Sequence, residues 1–118
     1  MAYQVADVVD AMAADAGVPL DVLRVDGGAA VNDRLCAFQA DLLGVPVERP
    51  VDAETTALGA AGLAGLAVGL WDSPDEFAAT RAVDRRFEPT MDPIRRERLL
   101  RGWHRAVERS RGWVEPDA

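Results

Sequence analysis

The chain has no lysine, one histidine, one tyrosine and one cysteine among its 118 residues, and each scarcity excludes something. A lone thiol, Cys36, forms no internal disulfide, which fits a reducing cytoplasm better than secretion. A lone imidazole, His104, rules out a histidine pair for a metal. The lysine of a Walker phosphate loop is absent, and no GxGxxG run replaces it. With 13 basic against 20 acidic residues the formal net charge is -7. Phosphate-backbone binding needs a clustered cationic surplus, so no nucleic-acid partner is expected. The most apolar run, Ala57 to Trp71, is shorter than the roughly 20 residues that cross a membrane. Met1 to Ala16 carries Asp7, Asp10 and Asp15 where a secretory leader needs a basic start and an apolar centre. No membrane partner and a cytoplasmic location are therefore expected.

What is present suits a folded chain. Hydrophobic residues make up 49% and charged residues 28%, enough apolar material for a core and too much for disorder. The length allows one small domain or part of a larger one. Most arginines follow Thr80, giving a basic final third behind an acidic start; this reads as a solvated helix face and not as a binding patch.

Helical spacing of Val5, Val8, Val9, Met12 and Ala16 predicts an amphipathic helix over Ala2 to Ala16, ended by Gly17 and Pro19. Leu23 to Asp26 suits a short buried strand before Gly27-Gly28. Val31 to Leu43 returns to helical spacing through Leu35, Phe38, Leu42 and Leu43, and Gly44 stops it. A second strand begins at Val45-Pro46-Val47 and closes at Pro50. Thr55 to Trp71 is apolar all round and is expected to be a helix buried on several sides, its glycines admitting neighbouring backbones. Ser73 caps and Pro74 opens a short helical turn. Arg85 to Glu88 is a last extended piece, and Pro93 to Arg111 a final amphipathic helix burying Leu99, Leu100, Trp103 and Val107. Alternation of this kind predicts βαβ units and an α/β fold with helices around a short parallel sheet. Two short strands are a poor sheet, so further strands are expected upstream of Met1.

Gly27-Gly28 lies between a strand and a helix, where α/β proteins bind ligands: glycine lets a nucleotide lie against the main chain, and a helix start offers free N–H groups. The same turn also has a purely structural reading. Asn32 could hydrogen-bond a purine edge through its carboxamide or simply satisfy the start of its own helix. Glu54 has no partner acid and opens the apolar helix with Thr55 and Thr56. Cys36 sits on an apolar stripe without a paired histidine, and His104 stands beside Trp103; both read as structural.

Taken together, AYQVADVVDAM, LRVDGGAAVNDRLCAFQADLLGVPVERP, ETTALGAAGLAGLAVGLW and GWHRAVERSRGW resemble the C-terminal end of the glycerol kinases in the FGGY carbohydrate-kinase family. The resemblance runs over nearly the whole chain, in order and at family spacing. The blocks Gln39-Ala40-Asp41 and Glu54-Thr55-Thr56-Ala57-Leu58-Gly59 favour glycerol kinases over sugar-kinase relatives.

The resemblance implies the C-terminal half of an actin-like, ribonuclease-H-like ATPase domain, with residues 1–118 forming a single, incomplete domain. It implies ATP, Mg-bound in the complete enzyme, as cofactor, with Gly28 and Asn32 touching the adenosine end and Gly27 supporting the turn. It implies ATP or ADP as partner and glycerol only through an N-terminal region that is not part of this sequence. The family's catalytic base and phosphate-holding Thr and Arg lie in that region, and no stretch here matches them. No catalytic residue and no metal ligand are therefore expected in this chain, and phosphorylation by the isolated chain is not expected. The alternatives are a non-catalytic remnant and an interaction module, a homo-oligomer formed through uncovered apolar faces.

Overall fold

In the computed structural model, which describes residues 1–52 and 54–112, helices and short strands alternate as the spacing predicts. Trp113, at the end of the last matching block, lies outside the described residues. Helix α1 spans Ala2–Ala16 and ends where Gly17 turns left-handed. Strand β1, Leu23–Arg24, leads through Gly27 into a 3₁₀ turn, Gly28–Val31. Helix α2, Asp33–Leu43, follows, capped by Asn32 and ended by Gly44 at φ 71°. Strand β2 is Val47–Pro50, helix α3 Thr55–Ala67 and helix α4 Pro74–Ala79. Strand β3, Val83–Phe87, and helix α5, Pro93–Ser110, complete the order.

The sheet runs β1-β2-β3. Strands β1 and β2 are parallel, with Leu23 opposite Val47 and Arg24 opposite Glu48. The expectation of a parallel sheet needs one correction. Strand β3 joins β2 antiparallel, pairing Val47 with Phe87 and Arg49 with Arg85, so the sheet is mixed. The chain passes from β2 through α3 and α4 and comes back beside β2 in the opposite sense. Local patterning cannot encode that direction, because parallel and antiparallel neighbours use the same side-chain alternation.

Helix α2 lies across this sheet. Cys36, Ala40, Val47 and Phe87 form the buried centre, with Leu23, Val25 and Ala37 packed around it. Helix α1 packs on α2 through small residues: Ala2 and Ala6 are buried, whereas Val8 and Met12 of the expected stripe stay exposed. Tyr3 fixes the contact, meeting Phe38 edge-on at 5.7 Å and stacking on Trp103 at 5.4 Å.

The burial expected of the last helix is corrected. None of α5 is fully buried; Leu99, Leu100, Trp103 and Val107 are half-buried, with α2 and the Tyr3 and Asp7 side chains of α1 against the helix. Helix α3 has the all-round apolarity of a covered helix, and in this chain its apolar faces stay uncovered, as the self-association alternative expects: Leu63 is 72% exposed and Val68, just beyond the helix, 82%. Only Gly62 and Gly65 are buried, beneath the Phe77 and Trp71 rings. Burial needs a neighbour, and among the described residues α4 is the main one α3 has. The Cα radius of gyration, 18.3 Å, accordingly exceeds the ~13 Å of a compact chain of about this length.

Candidate functional site

The glycine turn is built from its backbone upward. Gly27 adopts φ 74° and ψ -177°, a conformation that a β-carbon would strain. The turn then closes on itself, Ala30 N–H donating to the Gly27 carbonyl at 3.0 Å and Asn32 N–H to that of Ala29 at 3.2 Å. Gly28 is exposed, and no described residue comes within 4 Å of the point where a side chain would begin. Asn32, also exposed, accepts the Leu35 N–H on its Oδ1 at 3.1 Å and so caps α2. The capping role read from the sequence is therefore present, and it uses only the carboxamide oxygen; the amide group is not consumed by it. Gly27, Gly28 and Asn32 are brought together on one turn at the β1–α2 junction.

Beneath the turn lies Arg49, on the central strand. Its Nη1 donates to the Ala30 carbonyl at 3.0 Å and to Asp33 Oδ1 at 2.8 Å, and its Nε donates to Asp84 Oδ2 at 2.8 Å. The guanidinium also stands 5.6 Å from the centre of the Phe87 ring. Its hydrogen bonds to Asp84 and then to Asp33 raise its already high pKa further, so it is a permanent cation. Cys36 Sγ donates to the same Ala30 carbonyl at 3.3 Å, and burial pushes its thiol pKa up. The buried, protonated thiol matches the structural role expected for Cys36.

A second charged group centres on Glu48, where Arg86 and Arg81 bond the carboxylate and Arg24 stands 3.6 Å away. Arg86, with Arg81 behind it, holds the Glu48 carboxyl below the usual carboxylate range against the opposing effect of burial. Glu48 and Arg81 border a cavity of about 750 Å³ with Thr55, Phe77 and Pro50. The three residues of the glycine turn are not among those lining it. Thr55 Oγ1 donates to Asp26, tying the end of β1 to the start of α3. Among the described residues no group of three or more His, Cys, Asp or Glu side chains is arranged for a metal. No described helix is long and apolar enough to cross a membrane.

Sequence reasoning found the turn and missed Arg49, Asp33 and Asp84. Their contacts join positions 16 to 35 residues apart, which no local pattern records. A usable signal was present in Val47-Glu48-Arg49-Pro50: two charges inside a strand closed by proline need partners, because a half-buried charge is costly alone.

Comparison with known proteins agrees with this architecture. The family described as the FGGY family of carbohydrate kinases, C-terminal domain, matches residues 1–68. The glycerol kinase of Carboxydothermus hydrogenoformans is 62% identical over 113 residues, covering 96% of this chain and 23% of the relative. The crystal structure of Plasmodium falciparum glycerol kinase with ADP superposes with a TM-score of 0.82 at 37% identity, over 98% of this chain and 23% of that one. A ligand-bound xylulose kinase from Lactobacillus acidophilus shares the fold, with a TM-score of 0.71 at 18% identity over 80% of this chain and 20% of that one. The chain thus spans about a quarter of the length of the relatives it matches. Its α/β fold is that of the actin-like ATPase domain these kinases share. Sequence profile, identity to relatives and superposition agree: the chain belongs to the FGGY family of carbohydrate kinases, within their C-terminal domain.

Proposed function

We propose that this chain is the C-terminal part of a glycerol kinase, which transfers phosphate from ATP to glycerol and releases glycerol 3-phosphate. Its share of the work is the adenosine side of the nucleotide site, formed by Gly27, Gly28 and Asn32. The observation that carries this reading is the open main chain at Gly28, held on a tight turn at a strand-to-helix junction. A planar base can lie against such a turn without meeting a side chain. The amide half of Asn32 remains available to a purine edge while its oxygen caps α2. ADP in the Plasmodium relative supports nucleotide use at this fold.

ATP, as its magnesium complex, supplies the phosphoryl group, and glycerol, the catalytic base and the phosphate-holding groups belong to the remainder of the enzyme. Residues here bind and orient the adenosine end. Holding adenine contributes little to the barrier of phosphoryl transfer, which depends on charge neutralisation around the γ-phosphate. The chain alone is therefore inactive and binds nucleotide weakly. As part of a metabolic kinase it works in the cytoplasm, without nucleic acid or membrane as partner.

The test separates the two roles of Asn32. Asn32→Ser keeps an N-cap oxygen and removes the carboxamide, whereas Asn32→Ala removes both. Titrating the chain with ADP while following backbone amides by NMR should shift Gly27, Gly28 and Asn32 in the wild type, and both variants should lose the response. A response retained in Asn32→Ser would remove the carboxamide from the site. Glycerol phosphorylation above blank by the purified chain would overturn its inactivity.

One observation favours a second reading, self-association. Leu63, Val68 and Leu70 are exposed together along and just beyond α3. Sedimentation as a monomer at high concentration would remove this reading.

A further inference from the structure

The glycine turn has few bonds of its own. Between Gly27 and Asn32 the backbone makes two short-range hydrogen bonds, and no described residue meets Gly28 on its open side. A turn so lightly tied should sample several shapes. Its underside, however, is fixed at one atom, the Ala30 carbonyl, which accepts both from the Arg49 guanidinium and from the Cys36 thiol. The same guanidinium holds Asp33, the first residue of α2, on one oxygen while Arg85 takes the other, so Arg49 ties the segment after Gly28 at two points. Asp84, on the neighbouring strand, takes the Nε side and prevents the guanidinium from swinging away. The Arg49 side chain is only 15% exposed, so the guanidinium itself is held under the turn, while the Asp33 and Asp84 carboxylates that it bonds reach solvent.

We infer that Arg49 is a positioning residue for the nucleotide turn: its guanidinium, anchored by Asp84, clamps the Ala30 carbonyl and Asp33 and so sets the shape in which Gly28 and Asn32 meet adenosine. The inference rests on the proposed adenosine role of that turn. It requires arginine in particular. The planar fork carries donors in several directions at once and reaches a carbonyl and two carboxylates together, whereas the compact ammonium of lysine on a flexible stem cannot hold that fixed arrangement. Arg49 itself lies behind the turn, and the ligand would lie on the open face of Gly28. Its effect on binding is therefore indirect.

Cys36 provides the readout, because it is the sole cysteine, is 1% exposed and is bonded to the clamped carbonyl. Its reaction with a thiol reagent under native conditions reports opening of the turn or unfolding of the chain. Arg49→Met, Arg49→Lys and Asp84→Asn are compared with the wild type at matched global stability, set by adding urea to the wild type. Asp41→Ala, which alters a contact elsewhere, is the control whose labelling follows global unfolding alone. Loss of charge-assisted bonds from the carbonyl and Asp33 should speed labelling of Arg49→Met by about tenfold or more. Arg49→Lys and Asp84→Asn should fall between it and the wild type, and they carry the test if Arg49→Met does not fold.

ADP affinity, read from the amide shifts, should weaken several-fold in the same order and should stay unchanged in Asp41→Ala at matched stability. Equal labelling of wild type, Arg49→Lys and Asp84→Asn would overturn the clamp. Faster labelling with unchanged ADP affinity would overturn its role in positioning the turn for nucleotide. Absence of any ADP response in the wild type would instead remove the adenosine reading, and the positioning role with it; faster labelling would then uphold the clamp as a structural device only.

Discussion

The Trp103 indole N–H donates to the Asp7 carboxylate at 2.7 Å, joining the last helix of the chain to the first across 96 positions of sequence. His104 Nε2 lies 3.1 Å from the other oxygen of the same carboxylate, and the Trp103 ring stacks on Tyr3. Trp103→Phe keeps most of the stacking and removes the donor. It should lower stability by about 1.5–3 kcal/mol, the range for a hydrogen bond to a charged group. Urea unfolding of Trp103→Phe, Asp7→Ala and the double variant measures the coupling. Strictly additive losses would mean that the pair does not interact in solution.

Asp41 makes a comparable tie in the middle of the chain. Its Oδ1 accepts the N–H groups of Thr90 at 2.7 Å and Met91 at 2.8 Å, so the end of α2 holds the connection from β3 into α5. Asp41→Ala leaves both donors without this partner and should cost on the order of 2 kcal/mol. Asp41→Asn retains an acceptor oxygen and should cost less. A midpoint for Asp41→Ala within error of the wild type would show that water replaces the carboxylate at no expense.

Three glycines in one helix should respond differently to the same methyl group. At Gly62 it would overlap the Phe77 ring and at Gly65 the Trp71 ring, so Gly62→Ala should push α4 away from α3 and Gly65→Ala should displace Trp71, in the connection before α4. At Gly59 no described residue outside its own helix backbone comes within 4 Å of the added methyl, and Gly59→Ala should stabilise by roughly 0.5–1 kcal/mol through helix propensity alone. Thermal melts of the three variants decide this. A stabilising Gly65→Ala would contradict the ring contact.

The arginines around Glu48 give stability a defined dependence on pH. The carboxyl is held below its usual range in the folded chain, chiefly by Arg86, so the native state binds that proton less readily than the unfolded state. The resulting stability is complete above the ordinary glutamate value of about 4.3 and is lost as pH falls through the lower, folded value. Glu48→Gln should flatten the acid limb of a stability profile and leave its slope near neutrality unchanged. Identical acid limbs would show that Glu48 is not involved.

Much of this architecture was legible because its boundaries are local. Gly17 and Gly44 end helices by turning left-handed, and Ser73 with Pro74 starts α4, its hydroxyl accepting the Glu76 N–H at 3.1 Å. The glycine turn was legible for the same reason: Gly27 and Gly28 stand between a strand and a helix. What escaped depends on distant partners. The antiparallel return of β3 is set by the path through α3 and α4, and burial of α3 depends on what lies against it, so uniform apolarity marked that helix without locating its cover. Arg49 is the clearest case, since a single arginine in a strand gives no hint that Ala30, Asp33 and Asp84 will converge on it.

Arg96 donates its Nε to the Leu42 carbonyl at 2.6 Å and its Nη2 to that of Leu43 at 2.9 Å, supplying from α5 the partners that the final turn of α2 lacks. The last turn of α2 and the first turn of α5 are therefore fastened together. If α5 lifts away, the last turn of α2 loses its cation and frays in the same event, so amide hydrogens near Gly44 and along α5 should exchange with solvent in step. The sheet and the opposite end of α2, beside the glycine turn, would open only at higher cost.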